Sequence, residues 1–511
     1  MYSYVLTAGV MGIDGFKVVV EADISKGLPG ITIVGMPDAA IKESKDRIKA
    51  AITNSFLKYP VTKKIVINLS PADIKKDGSH YDLPIALSIL SESIPFSEEK
   101  LKTTAFLGEL SLDGKLKPVK ATTALILGLV EEKEIKSVII PASSEKEASM
   151  VPDIDIFLAE DLKQVVEYMQ DKVELPKVKE VLTYEPIKPD KDFSDIKGSY
   201  QVKRAAQIAA AGFHNLMMIG PPGSGKTMIA SRMNTIMPSL SEDEYIEVSK
   251  IYSFLGEIPD EIILRNRPFR APHHTISYAS LIGGGSNANP GEVVLAHGGI
   301  LFMDEFLNFD RRLIQGLRQP IEDREVTISR VNAKYTYPSG FMLVAATNPC
   351  PCGFLYSTDR ECTCSEKKID DYLQKASGPI LDRIDIFVDT MSIKYEELTD
   401  NKKSELSSAD LKEAVEKAVA IQKERFKKLK INYNSQMNPK QIEKYCILDD
   451  GAKKLMETYY KTANLTARSY HRILKVARTI ADMDEKEKIT QAHVAEAINF
   501  RKVYSKYWDR N

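Results

Sequence analysis

Gly220-Pro221-Pro222-Gly223-Ser224-Gly225-Lys226-Thr227 is the stretch that decides the fold, because it fits the phosphate-binding pattern G-x-x-x-x-G-K-[ST]. The apolar run NLMMI (215–219) comes directly before it, and a helical pattern follows. In such a loop the glycines let backbone N–H groups surround phosphate oxygens, and the helix adds the positive end of its dipole. We expect Lys226 to reach the β- and γ-phosphates of ATP and the Thr227 hydroxyl to ligate Mg²⁺. The alternative is a glycine-rich turn that binds nothing.

Two acids follow the next apolar run, GILFM (299–303). We predict a buried strand that delivers Asp304 to the shell of the Mg²⁺ ion. Glu305 is then the candidate base that activates water for attack on the γ-phosphate. A strand that ends in two acids is common on protein surfaces, so the pair is informative only together with the phosphate-binding loop.

Three further residues are candidates for the chemistry of hydrolysis. Asn348 ends the apolar run FMLVAAT (341–347) and can hold the attacking water, although it is also typical of a turn before a proline. Arg383 is the candidate cation that faces the γ-phosphate, often from a neighbouring subunit. Arg468, which opens a predicted helix, is the candidate for a cation supplied in cis by a helical lid. By residue type alone, each arginine would be a surface residue.

Composition limits the class of protein. With 511 residues the chain is too long for one hydrophobic core. The net charge of −1 indicates no global affinity for nucleic acid, so any DNA surface must be local. No apolar stretch reaches the roughly 18 residues needed to span a bilayer. Five cysteines exclude a secreted disulfide scaffold. We therefore expect a cytoplasmic protein without membrane association.

The chain divides by pattern into four parts. Residues 1–170 alternate short strands and helices, and residues 171–192 are charged and proline-containing, as in an exposed linker. A second α/β pattern covers 193–395, and 396–511 read as helices, with single helices predicted at 408–430, 438–462, 466–482 and 490–505. The fold class is α/β.

Several long segments carry a family resemblance. They are DFSDIKGSYQVKRAAQIAAAGFHNLMMIGPPGSGKTMIA (192–230), RPFRAPHHTIS (267–277), GEVVLAHGGILFMDEF (291–306), LRQPIEDREVTISR (317–330), FMLVAATNPCPCGF (341–354) and SGPILDRIDIF (377–387). These segments resemble the Mg-chelatase-like branch of the AAA+ ATPases. Nearly the whole chain resembles the ComM/YifB family.

The resemblance implies roles for residues already named and for two new ones. Lys226 and Thr227 match Walker A, Asp304 and Glu305 Walker B, Asn348 sensor 1, Arg383 the arginine finger, and Arg468 sensor 2. It also implies a homo-hexameric ring, an insert within about 265–296 and a hairpin at about 324–340, both gripping DNA in the pore. Arg330 and Lys334 on the hairpin are the candidate phosphate contacts, or else exposed residues of a solvated hairpin.

The function implied is an ATP-dependent DNA translocase or helicase, with recombination proteins as possible partners. In the family this activity promotes branch migration during recombination of incoming DNA in natural transformation, so the expected partner is branched or single-stranded DNA. Three alternatives stay open: a motor subunit of a metal chelatase, an ATP-dependent protease and a non-enzymatic DNA-binding scaffold. An N-terminal domain that resembles the Lon protease fold, described next, argues against the chelatase subunit, and an intact Glu305 argues against the scaffold.

The N-terminal domain resembles the Lon protease fold, of the ribosomal S5 domain 2-like type, in KDGSHYDLPIAL (76–87) and GELSLDGKLKPV (108–119). Lon proteolysis uses a Ser–Lys dyad. The match places His80 at the nucleophile position and Thr123 at the general-base position. Ser79 and Lys120 lie close in sequence to these positions. We expect the domain to be non-proteolytic, with a role in ring assembly or DNA contact.

Four of the cysteines form two close pairs, Cys350-x-Cys352 and Cys362-x-Cys364. Four thiolates suit tetrahedral Zn²⁺, although the usual spacing is C-x₂₋₄-C, so C-x-C strains the ligand geometry. The alternative is four free thiols. We expect a structural zinc site here, and we expect the adjacent pair His273-His274 to serve the pore insert or a subunit contact.

Overall fold

A computed structural model of the chain describes residues 2–178, 191–256, 258–259, 265–285, 288–330, 333–357, 360–376, 378–391 and 406–509. Most of the predicted linker, 179–190, lies outside these residues. The chain divides into two compact units. One contains Met1–Pro186 and Glu242–Leu264, and the other contains Ile187–Ser241 and Arg265–Asn511. The helices of the described residues include none that is long and apolar enough to cross a membrane.

The first unit is built on a seven-stranded sheet with the order β3-β4-β2-β1-β5-β8-β9. Its strands are β1 Tyr2–Met11, β2 Asp14–Ser25, β3 Gly30–Val34, β4 Lys64–Ser70, β5 Thr104–Phe106, β8 Ser137–Pro141 and β9 Asp155–Ala159, and a separate small hairpin joins β6 Glu109–Leu110 to β7 Leu116–Lys117. The antiparallel ladder between β1 and β2 runs from Tyr2↔Asp23 to Met11↔Asp14. β1 was not predicted from the sequence.

Six helices of the N-terminal segment pack with this sheet. They are α1 Ala39–Asn54, α2 Asp82–Leu90, α3 Glu98–Thr103, α4 Thr122–Val130, α5 Glu145–Ala148 and α6 Leu162–Met169. α1 begins at the N-cap Asp38, whose carboxylate accepts from the Ile41 N–H. All nine residues of α2 are buried, which explains its almost continuous apolar sequence.

The second unit contains a parallel sheet with the order β11-β14-β17-β10-β18. Its strands are β10 Leu216–Ile219, β11 Phe269–Arg270, β14 Ile300–Met303, β17 Met342–Thr347 and β18 Ile386–Asp389. β10, β14 and β17 are buried at every position, as the continuous apolar runs predicted. The parallel sheet and the helical C-terminal region confirm the α/β fold class.

The remaining helices follow in chain order. They are α7 Tyr200–Gly212, α8 Lys226–Ile236, α9 Glu242–Leu255, α10 Tyr278–Ile282, α11 Glu292–Leu295, α12 Arg311–Gly316, α13 Arg318–Asp323, α14 Glu366–Leu373, α15 Gly378–Leu381, α16 Ser408–Phe426, α17 Pro439–Tyr445, α18 Asp450–Thr462, α19 Ala467–Met483 and α20 Gln491–Trp508. α16 to α20 form the C-terminal helical region. Their apolar faces share one hydrophobic core with the parallel sheet.

α9 belongs by its packing to the first unit, although α8 and β11 on either side of it in sequence belong to the second. It packs against α4. The Ser253 hydroxyl donates to Glu147 at 2.8 Å, and the Thr123 N–H donates to the Ser253 oxygen at 3.1 Å. The first unit is therefore made from two separate segments of the chain.

One prediction of local structure was wrong. The single helix predicted at 438–462 is two helices, because Asp449 caps a new helix by accepting from the Ala452 N–H. Within about 265–296, where the pore insert is predicted, Phe269 and Arg270 form β11, which pairs with β14 in the core sheet. The rest of that range carries α10, α11 and a short hairpin of β12 Gly283–Gly284 with β13 Asn289–Pro290.

Candidate nucleotide-binding site

The phosphate-binding loop leaves the carboxyl end of β10 and runs into the first turn of α8. Gly223 has a φ of +78° and Gly225 a φ of +80°, in the left-handed region that glycine adopts at least cost. A Cβ atom at either position would meet no atom within 4 Å, so there is open space beside both glycines. The loop has the conformation and the space to surround a phosphate group with backbone N–H groups.

The end of β18 anchors this loop. A Cβ atom at Gly220 would lie 2.1 Å from the carbonyl oxygen of Thr390, so only glycine permits this close approach. The hydroxyls of Ser224 and Thr390 lie 2.8 Å apart. Thr390 was not singled out by the sequence, because nothing in its local pattern marks it as a partner of the loop.

Lys226 is buried, and its ammonium donates to the carbonyl oxygens of Gly220 and Pro221, each at 2.8 Å. Burial lowers the pKa of Lys226 to about 8, while the negative charges of Asp304 and Glu305 oppose this shift. The ammonium therefore lies among acceptors of the loop itself, at the place where phosphate oxygens would bind.

Thr227, in the first turn of α8, and Asp304, directly after the carboxyl end of β14, lie side by side. The Thr227 hydroxyl donates to the Asp304 carboxylate at 2.7 Å. A hydroxyl and a carboxylate side by side are the oxygen ligands that Mg²⁺ uses together with nucleotide phosphates. The residues present therefore fit a Mg²⁺–nucleotide complex.

Glu305 follows Asp304 in a left-handed conformation with a φ of +52°. Its N–H donates to the Asp304 carboxylate at 2.9 Å, and its own carboxylate accepts from the Asn308 amide at 3.0 Å. The Glu305 side chain is exposed. Nδ1 of His274 lies 3.9 Å from the same carboxylate. From the sequence we expected His274 to serve the pore insert or a subunit contact. Only its place in the family segment RPFRAPHHTIS could have pointed to the nucleotide site.

Asn348 follows β17, which lies beside β10 in the sheet. Its side-chain oxygen is 3.4 Å from the Lys226 ammonium. The structure thus brings Lys226, Thr227, Asp304, Glu305 and Asn348 together at one edge of the sheet. These are five of the residues singled out from the sequence for the nucleotide site.

Arg383 and Arg468 lie at the opposite edge. The carbonyl of Arg383 accepts from the Asn215 amide at 2.8 Å, and Asn215 directly precedes β10. Both guanidinium groups form ion pairs with Glu322. A four-residue strand separates the two edges by about 13 Å. Arg468 therefore does not lie beside the phosphate-binding loop of its own chain, and the predicted placement in cis was wrong.

These two arginines line a cavity of about 460 Å³. Its other charged residues are Glu322, Arg324, Asp385, Arg472 and Lys475. Within the described part of the chain, Nε of Arg383 and Nε of Arg472 are buried without a hydrogen-bond partner. Burial and the nearby charge of Arg468 lower the pKa of Arg383. Cations outnumber carboxylates here, so the cavity favours an anionic group.

The predicted hairpin is present as β15 Glu325–Arg330 and β16 Ala333–Pro338, paired from Glu325↔Pro338 to Arg330↔Ala333. Lys334 is exposed near its tip. The side chain of Arg330 and residues 331–332 lie outside the described part of the structure. Lys334 is thus accessible to a ligand, and its predicted contact with DNA stays a prediction.

The four clustered cysteines come together. Their Sγ atoms all lie within 4.8 Å of one another, and all four are free thiols. Cys350 is fully buried, and the other three are partly exposed.

The residues at the predicted Lon positions are engaged in other contacts. His80 is buried, its Nε2 lies 3.0 Å from the Ala8 carbonyl, and burial lowers its pKa to about 4. The Thr123 hydroxyl donates to the carbonyl of Glu147 at 2.9 Å. The Ser79 hydroxyl donates to the carboxylate of Glu109. His80, Thr123 and Ser79 are therefore each engaged in a hydrogen bond within the N-terminal unit.

Three protein-family models of magnesium chelatase match consecutive parts of the chain. "Subunit ChlI of Mg-chelatase" matches residues 20–144, "Magnesium chelatase, subunit ChlI" matches 192–398, and its C-terminal domain matches 405–501. Together they cover most of both α/β regions and the helical region.

Full-length relatives also match. "Competence protein ComM" of Haemophilus influenzae is 40% identical, with 96% of each chain covered. "Uncharacterized protein YifB" of Escherichia coli is 38% identical, with 98% of this chain and 97% of the relative covered. "Uncharacterized protein Mb2921c" of Mycobacterium bovis is 36% identical, with 97% of each covered. With the phosphate-binding loop and paired acids described above, these matches show that the chain belongs to the ComM/YifB family of Mg-chelatase-like AAA+ ATPases.

Proposed function

We propose that this protein is an ATP-driven DNA translocase that works as a homo-hexameric ring and promotes branch migration during recombination. The observation that carries the proposal is the convergence of Lys226, Thr227, Asp304, Glu305 and Asn348 at one edge of the parallel sheet. A binding module would need the lysine and the loop, but a motor also needs a base and a metal-binding carboxylate.

Each residue of the site has a distinct task in ATP hydrolysis. Lys226 neutralises the phosphate charge, and Thr227 with Asp304 holds the metal side of the nucleotide. Mg²⁺, when bound, neutralises the charge that develops on the phosphate oxygens. Glu305 accepts a proton from the attacking water, and Asn348 orients that water. The contact of Glu305 with Asn308 holds the carboxylate in place before the nucleotide arrives.

The ring is supported by the position of Arg383 and Arg468 at the edge opposite the phosphate-binding loop. Because neither lies beside that loop in its own chain, each acts on a nucleotide only if a neighbouring subunit brings one to this edge. A site shared between subunits explains why the cavity has excess positive charge and unpaired Nε atoms.

DNA as the substrate is supported by the relative named "Competence protein ComM" and by the exposed Lys334 on the hairpin. With a net charge of −1, the chain needs such a local contact to hold a polyanion. We also propose that the protein is cytoplasmic and that its N-terminal unit is not a protease. Recombination proteins are the partners expected for such a motor.

The test is unwinding of a synthetic fork and of a four-way junction, with and without ATP, alongside ATPase activity with and without DNA. The Glu305→Gln variant is the control, because it keeps the nucleotide but not the base. ATP-dependent unwinding that Glu305→Gln abolishes is the expected result. ATPase activity that no DNA structure stimulates contradicts the translocase and favours a chelatase-type motor, which the similarity to magnesium chelatase subunit ChlI would allow.

A further inference from the structure

The loop that follows Asn348, residues 349–365, contains four thiols close together, and we call it the cysteine loop. The Sγ atoms of Cys350, Cys352 and Cys362 are separated by 3.3, 3.5 and 3.6 Å, and Cys364 lies within 4.8 Å of all of them. Tetrahedral Zn²⁺ with Zn–S bonds of about 2.3 Å places its sulfurs roughly 3.8 Å apart. The thiols are therefore close to the arrangement that a zinc ion needs, despite the tight C-x-C spacing.

The type and number of donors point to one class of ion. All four are sulfur, which selects soft metals such as zinc over Mg²⁺ or Ca²⁺. Four protein ligands close the coordination shell, as in a structural site and unlike a catalytic one. Three of the cysteines are partly exposed, so an ion can enter.

A metal would also stabilise this segment. Between β17 and α14, the described residues form turns and irregular backbone without a helix or a strand. Neutral thiols are weak hydrogen-bond donors, so four of them give such a segment little stability. A tetrahedral ion cross-links both cysteine pairs at once.

The cysteine loop lies directly against the nucleotide site. Cys350 is fully buried two residues after Asn348, and its carbonyl accepts from the Gly353 N–H at 3.0 Å. A Cβ atom at Gly353, where φ is +86°, would lie 2.6 Å from Cδ of Pro222 in the phosphate-binding loop. The backbone at Gly353 thus packs on that loop with no room for a side chain.

The two loops also share the walls of a small cavity of about 70 Å³. Its lining includes Gly220 and Pro221 of the phosphate-binding loop and Pro349, Leu355 and Tyr356 of the cysteine loop. Any shift of the cysteine loop therefore changes the surroundings of both Asn348 and the phosphate-binding loop.

We propose that Cys350, Cys352, Cys362 and Cys364 bind one Zn²⁺ ion, and that this ion holds Asn348 and the phosphate-binding loop in the geometry that hydrolysis needs. Zinc binding does not depend on the proposed ATPase activity, but the effect of the ion on hydrolysis rests on it. Loss of the ion is expected to lower the rate of turnover more than the affinity for nucleotide, because Lys226 and Thr227 lie outside the cysteine loop.

The experiment compares the full chain with a Cys362→Ser/Cys364→Ser double variant and with Cys446→Ser, a cysteine buried elsewhere. Zinc per chain is measured by mass spectrometry, and ATP turnover and nucleotide affinity are measured on the same samples. We expect one zinc in the full chain and in Cys446→Ser. The double variant should lack zinc and turn over ATP at least about tenfold more slowly. Zn²⁺ added to the chelator-treated full chain should restore the rate.

A second variant separates ion binding from its effect. Gly353→Ala should keep its zinc and still lose turnover, because its Cβ would collide with Pro222. Full-length protein without zinc overturns the site, and unchanged turnover in the zinc-free double variant overturns the coupling. If the zinc-loaded full chain hydrolyses no ATP, the proposed motor function fails, while the zinc content still tests the site.

Discussion

The Thr227 hydroxyl donates a 2.7 Å hydrogen bond to the Asp304 carboxylate, across the gap between the phosphate-binding loop and the next-but-one strand of the sheet. We propose that this pair marks the Mg²⁺ site. Replacing Thr227 with Ala removes one ligand and should raise the Mg²⁺ concentration needed for half-maximal ATPase activity, with turnover lower by on the order of 100-fold. A Mg²⁺ titration checks this. Thr227→Ser, which keeps the hydroxyl, should stay close to the unchanged protein.

Lys226 makes nucleotide binding sensitive to pH. Burial lowers its pKa to about 8 in the free protein, and bound phosphate would raise that pKa again. Affinity for ATP should therefore be greatest below pH 8 and fall as the pH rises through 8, because the neutral amine no longer attracts phosphate. Binding at pH 8.5 should take up a proton, which calorimetry in buffers of different ionisation enthalpy detects.

Lys226→Arg is the matched control, since a guanidinium stays charged throughout this range. Any affinity that this variant retains should be flat between pH 7 and 9. Lys226→Ala should show no measurable nucleotide binding. A decline with pH in Lys226→Arg would assign the titration to another group.

Glu305 should separate binding from chemistry. Glu305→Gln keeps the size and a hydrogen-bond acceptor for Asn308 but loses the base, so ATP should bind with unchanged affinity. Turnover should fall by about 100-fold or more. Single-turnover measurements of phosphate release check this, and near-normal hydrolysis would remove Glu305 from the role of base.

Arg383 should act on the nucleotide of a neighbouring subunit. Arg383→Ala should bind ATP normally and lose about 1,000-fold in turnover. Arg311→Ala, an exposed arginine, is the control and should remain active. Mixing Arg383→Ala chains with Lys226→Ala chains should recover part of the activity, because some interfaces then join an intact loop to an intact arginine. A mixture as inactive as its components would contradict the shared site.

Lys334 should affect DNA and not the nucleotide. Lys334→Ala is expected to leave ATPase activity without DNA unchanged and to weaken DNA binding at every sequence. The slope of log affinity against log salt concentration should fall by about one if the ammonium contacts one phosphate. Lys454→Ala, an exposed lysine on α18, serves as the control. Equal salt dependence in both variants would remove the hairpin from the DNA surface.

Much of the nucleotide site could be predicted, because parallel strands place their carboxyl ends at one edge. Each of Lys226, Asp304 and Asn348 follows a continuous apolar run, so their proximity followed from the order of the strands alone. The conformation of Glu305 and its contacts with His274 and Asn308 were not predictable, since they depend on a left-handed residue and on a distant segment.

The position of Arg468 shows where sequence patterns stop being informative. Its helix, α19, was predicted closely, but the direction in which a helix packs depends on its whole apolar face and not on the residue that opens it. β11 was missed as a core strand because two residues carry no periodicity. The boundary between α17 and α18 was missed because it depends on one N-cap hydrogen bond, in which the Asp449 carboxylate accepts from the Ala452 N–H.

The position of α9 limits how the two units of this chain can evolve. It leaves the ATPase unit, covers α4 of the N-terminal unit with the buried Val248, Ile251 and Tyr252, and the chain then returns to complete the parallel sheet. A cut at the linker would separate the N-terminal unit from a helix of its own interior. The two units therefore cannot be exchanged independently of each other. Replacing the N-terminal unit would also require changes in the segment Glu242–Leu264, which lies within the sequence of the second unit.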